Sequence, residues 1–65
     1  MLFRVDRKKL YIALAAECIS VKELMSLAKV SAVTLQRIGD DKPLRPNTLG
    51  RIAKALHVTP QDLIE

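Results

Sequence analysis

Tryptophan is absent from this 65-residue chain, and Phe3 and Tyr11 are its only other large aromatic side chains. Single-stranded nucleic acid is held largely by stacking bases on aromatic faces, so this scarcity argues against that class of partner. Cys18 is the sole cysteine, which excludes an internal disulfide and any cysteine-built metal site. With no signal-peptide pattern at its start, the single thiol predicts a reducing, cytoplasmic setting. One histidine and two glycines leave no glycine-rich loop and no set of side chains from which a nucleophile, a base and an oxyanion site assemble, so no enzyme is expected. A metal centre, which takes about four clustered ligands, has no support either. No cofactor or small-molecule ligand is expected. The longest low-charge stretch, Leu10 to Ala16, is far short of the roughly 20 residues that cross a bilayer, so no membrane partner is expected.

What is present is basic charge. Eleven Lys and Arg against seven Asp and Glu give a net charge of +4. A surplus of this kind invites a polyanionic partner, nucleic acid first among them. At this length the chain is read as one domain, residues 1–65, with a thin core: about 60% of its unfolded surface is buried on folding. A compact architecture or a partner then has to supply security.

Helix-start signals recur along the chain. Asp6 is placed to cap a helix running to about Cys18. Ser20 opens "VKELMSLAK", with Glu23 three residues on completing a capping box. Ser31 opens a third helix, Pro46 fits the first turn of a fourth, "PNTLGRIAKALH", and Thr59-Pro60 repeats that grammar for "PQDLIE". The predicted spans are about 6–18, 20–28, 31–38, 46–57 and 60–65: an all-α chain, a compact five-helix bundle, with strand character confined to an extended "LFRV". Val21, Leu24, Met25 and Ala28 follow the helical i, i+3, i+4, i+7 spacing, as do Leu49, Ile52, Ala53 and Leu56. Leu35, Ile38 and Val30 add the inner face of the third helix, and Val58 with Leu63 or Ile64 closes the core. Gly39 is expected to cap the third helix, and Gly50 to mark a close helix approach.

The first helix is apolar nearly all round, with Glu17 its only charge between Leu10 and Ile19. Two readings follow. Either the helix is buried on several sides, or Tyr11, Ile12 and Ala15 form a protein–protein surface, most simply that of a homodimer.

The stretch "SAVTLQRIG" carries the functional question. On a helix, Leu35 and Ile38 point inward while Ala32, Val33, Gln36 and Arg37 share the opposite face. Preceded by a short helix and the connection "AKVS", this is the arrangement of a helix-turn-helix, whose second helix enters the DNA major groove. Base edges there explain the mixture: Arg37 is suited to guanine O6 and N7, Gln36 to adenine N6 and N7, and Ala32 and Val33 to thymine methyls. The competing reading is an ordinary solvated helix face.

"ISVKELMSLAKVSAVTLQRI" resembles the helix-turn-helix core of the Cro and phage-repressor (XRE) family, and "RPNTLGRIAKALHV" with "TPQDLIE" resembles that family's fourth helix and tail. The resemblance implies a lambda-repressor-like five-helix domain that binds double-stranded operator DNA, frequently as a dimer. It implies that Ser31 caps the recognition helix, that Ala32, Val33, Gln36 and Arg37 read bases, and that Ser31 and Thr34 contact phosphate. Lys42 and Arg45 fall in the loop that usually touches the DNA backbone. Three positions depart from the family pattern. Val21 replaces a phosphate-binding glutamine, a role that passes to Lys22 or is lost. Lys29 replaces the left-handed glycine of the turn, placing a charge near the DNA. His57 replaces a terminal glycine and is read as a helix terminus, a site that His tolerates better than most residues. Asp40 and Asp41 would repel phosphate unless they point away or pair with Lys42. The function expected is a sequence-specific double-stranded DNA-binding transcriptional regulator, repressor-type. The alternative is a protein-interaction module on the same fold: an antirepressor, an antitoxin-like partner or an adaptor.

Overall fold

The computed structural model describes all 65 residues. Four α-helices, α1 (Arg7–Glu17), α2 (Val21–Ala28), α3 (Ala32–Gly39) and α4 (Pro46–Ala55), are followed by a 3₁₀ turn, Pro60–Leu63. The chain is all-α, and no helix is long and apolar enough to cross a membrane. The starts follow the expected grammar. The Asp6 carboxylate accepts from the backbone N–H of Lys8 and Lys9. Ser20 Oγ accepts from Glu23 N–H while the Glu23 carboxylate accepts from Ser20 N–H, a complete capping box. Ser31 Oγ accepts from Thr34 N–H. α4 opens on Pro46 with Arg45 in the N-cap position, and no side chain caps it.

The expected fifth helix is replaced by the short 3₁₀ turn. Asp6 N–H donates to Leu63 O at 2.8 Å and Val5 bridges Ile64, so the tail is drawn out into extended pairing before an α-turn closes. The "LFRV" segment is the other half of that arrangement. Phe3 pairs with Leu44 through reciprocal backbone bonds of 2.8 and 2.7 Å, which stitches the chain start to the loop between α3 and α4.

Thirteen apolar residues form the core, with Leu24, Ile52, Leu56 and Leu63 the largest fully buried side chains. Leu49, Ile52, Ala53 and Leu56 are all buried as their spacing predicts. Val21 is not: it lies exposed at the first turn of α2. Burial of α1 on several sides is also overturned. Only Leu10, Ala13 and Leu14 are buried, and Tyr11 and Ile12 remain 56% and 59% exposed. In so small a bundle one face of α1 meets the core, and nothing packs on the other.

Glycine plays neither of its expected parts. No glycine has positive φ, whereas Cys18, Lys29, Asp41 and His57 do. Each of these follows the end of one helix. At α1, Cys18 N–H donates to Ala15 O and Ile19 N–H to Leu14 O; at α4, His57 N–H donates to Lys54 O and Val58 N–H to Ala53 O. Both are Schellman-type endings built without glycine. α3 ends likewise: Asp41 N–H donates to Ile38 O and Lys42 N–H to Arg37 O, so the left-handed residue is Asp41 and Gly39 stays helical. The residue after three of these turns is apolar and packs on the core (Ile19, Val30 and Val58). Burying it offsets the roughly 1–2 kcal/mol that an L-residue loses in left-handed geometry. Gly50 marks no close approach, since a Cβ added there meets nothing within 4 Å.

Candidate nucleic-acid interface

α3 is held from below by Ile38, which is buried, and by half-buried Leu35. Its C-terminal end is tied to α1 by Arg7, whose Nη1 donates to Gly39 O at 3.1 Å. A cation there also complements the negative end of the helix dipole. The opposite face is left to solvent: Ala32, Val33, Gln36 and Arg37 are all exposed, Val33 at 65%. An exposed branched apolar side chain on this face is complementary in character to a thymine methyl.

At the N-terminal end of α3, Ser31 Oγ and Thr34 Oγ1 lie 3.3 Å apart, a pair of hydroxyls beside the first-turn N–H groups. One turn on, Thr34 and Arg37 line an open cleft of about 360 Å³ together with Arg45 and Thr48 from the start of α4. Arg37 Nη2 rests on Pro43 O at 3.4 Å, a long and weak hydrogen bond. The cleft thus gathers two guanidinium groups, two hydroxyls and the positive end of α4, with no carboxylate among its lining residues. That is the electrostatic character a phosphate oxygen requires. Thr48 was not singled out in the sequence. Its signal was the Pro46 helix start, which puts Thr48 in the first turn of α4.

The other expected backbone contacts scatter. Lys42 is exposed in the loop and Lys22 in the first turn of α2, neither lining this cleft. Lys29 occupies the left-handed turn between α2 and α3, with φ 56°, and lines a different depression. The acidic pair is partly resolved. Asp41 pairs with Arg4 at 3.6 Å, not with Lys42, which ties its charge to the N-terminal segment. Asp40 is exposed and closes α3 through its own N–H to Gln36 O at 2.9 Å.

Residues 9–65 match the family of the Cro/C1-type helix-turn-helix DNA-binding domain. No match was found among curated proteins or among solved structures. The chain belongs to the Cro/C1-type helix-turn-helix DNA-binding family.

Proposed function

We propose that this Cro/C1-type DNA-binding protein is a sequence-specific transcriptional repressor that lays α3 in the major groove of its operator. The observation that carries the reading is the exposed α3 face, flanked at one end by the hydroxyl and guanidinium cleft. Ala32, Val33 and Gln36 read bases. Arg37 joins them by leaving the Pro43 carbonyl, a weak contact to give up for a bidentate guanine. Ser31, Thr34 and Arg45 hold phosphates, with Lys22, Lys29 and Lys42 adding charge along the backbone. Repression follows from occupancy, because a protein seated on an operator denies that groove to other proteins. Selection from a pool of random duplex DNA tests the proposal. An enriched motif containing thymines, bound more weakly as salt rises, is the expected result. Recovery of no motif, with binding absent or indifferent to salt, overturns it and favours the protein-interaction reading.

The exposed face of α1 adds a second element. Tyr11 and Ile12, with exposed Ala15 one turn on, present an apolar surface on a chain with little core to spare. We propose it as the homodimer contact that sets the spacing between two half-sites. A palindromic motif in the same selection, together with a dimeric mass that Ile12→Ser converts to monomer, is the expected outcome.

A further inference from the structure

A second cleft, larger than the one at α3 and lined by none of its residues, lies where the C-terminal ends of α1, α2 and α4 meet. Its volume is about 540 Å³, within the range of about 300–1,000 Å³ typical of ligand sites. The floor is apolar: Ile19, Leu27, Ala28 and Ala55. Leu27 is 59% exposed although it belongs to a helix whose other leucine, Leu24, is fully buried. Around this floor stand Lys29, Arg51 and Lys54. Neither of the molecule's two ion pairs involves them, and none of the three side chains donates a hydrogen bond within the protein. They are not consumed in capping, because backbone N–H groups of the left-handed turns already answer the carbonyl ends of α1, α2 and α4. The single carboxylate of the cleft, Glu17, is engaged by His57 at 2.6 Å.

We propose that this cleft docks an acidic amphipathic segment of a partner protein, with a leucine-like side chain on the floor and flanking carboxylates on Lys29, Arg51 and Lys54. An apolar floor with a rim of free cations is complementary to that chemistry. It is poorly matched to a nucleic-acid backbone, which presents no apolar group to cover Leu27. The site shares only Lys29 with the DNA-binding reading, and with Arg51, Lys54 and the apolar lining it would stand if that reading failed.

The test is titration of the full chain, followed by amide NMR, with three separate probes. These are a synthetic helical peptide alternating leucine and glutamate clusters, the same peptide with glutamine for every glutamate, and a short duplex DNA. The acidic peptide is expected to shift the amides of Ile19, Leu27, Lys29, Arg51 and Lys54, leaving those of Val33 and Gln36 in place. Arg51→Glu is expected to weaken that binding by about tenfold, the equivalent of about 1.4 kcal/mol. Leu27→Ser, an exposed position that leaves the core intact, is expected to weaken it without changing its salt dependence. Equal shifts with the glutamine peptide, or none with either, overturn the proposal. Shifts of the Ile19, Leu27, Arg51 and Lys54 amides by duplex DNA alone assign the cleft to nucleic acid, and shifts that follow protein concentration without any probe assign it to a second copy; both overturn it.

Discussion

His57 Nδ1 lies 2.6 Å from Glu17 Oε1, joining the second residue beyond α4 to the last residue of α1 across 40 positions of sequence. The backbone of His57 is left-handed, with φ 57°, so one residue both ends a helix and ties it to another. The imidazole is 77% exposed, which keeps the pair at the modest end of surface interactions, about 0–1 kcal/mol.

Substitution at His57 separates the two roles. His57→Ala loses the pair and keeps the left-handed backbone, so stability is expected to fall by about 1 kcal/mol, or about 4–8 °C in Tm for a domain of this size. His57→Gly loses the pair but relieves the backbone by a comparable amount, so it is expected to melt within a few degrees of wild type. Thermal denaturation followed by circular dichroism measures both. A glycine variant that melts as low as the alanine variant would show that the backbone at this site is not strained.

The two glycines are expected to behave as helix liabilities. Gly50 lies within α4 and Gly39 is the last residue of α3, and a Cβ built on either meets nothing within 4 Å. Gly50→Ala is therefore expected to stabilise the fold by about 0.5–1 kcal/mol, with Gly39→Ala somewhat less effective at its terminal position. Denaturant midpoints at unchanged m-value read the effect. A loss of stability in Gly50→Ala would reveal a close approach that the structure does not contain.

Leu63 shows how little reserve the core has. It is fully buried although it belongs to a four-residue turn. Leu63→Ala is expected to cost about 2–5 kcal/mol, a large share of the total that a thin-cored domain possesses. Loss of a cooperative melt at room temperature, or a midpoint far below wild type, is the expected observation.

DNA binding should divide between the start of α4 and the exposed face of α3. Arg45→Ala is expected to weaken all duplex sequences alike and to lower the slope of log affinity against log salt by about 0.9. Val33→Ser is expected to relax preference for thymine at one position, worth about 1–3 kcal/mol of discrimination, with the salt slope intact. Fluorescence anisotropy over a series of single-base variants at several salt concentrations distinguishes them. Identical behaviour of the two variants would mean that α3 does not read bases.

Residues whose effects are local were legible in the sequence. Asp6, Ser20 and Ser31 act on N–H groups two or three residues away, and the Leu49–Leu56 stripe needs only the helical period. The exposed face of α3 was legible for the same reason. What could not be read depends on distant chain. The 3₁₀ tail is set by pairing with Val5, Asp41 is engaged by Arg4, and the end of α3 is tied by Arg7. α1 misled in a different way. Its apolar circumference predicts enclosure, but enclosure requires enough other helices to surround it, and the pattern along one helix does not count its neighbours. Of the polar residues lining the cleft at α3, Thr34, Arg37 and Arg45 are legible in the sequence, while Thr48 joins them only through the way α4 begins.

The helix endings at Cys18, Lys29 and His57 bear on how the protein unfolds. A glycine stop is local and works in an isolated peptide. Here each stop is favoured by burial of the next residue, Ile19, Val30 or Val58, against a core assembled from the whole chain. Helix termination is therefore a tertiary event, so the ends should not form ahead of the core or fray independently of it. Amide protons at Ile19, Val30 and Val58 should then exchange with solvent through global opening, unlike the terminal turns of most small helices.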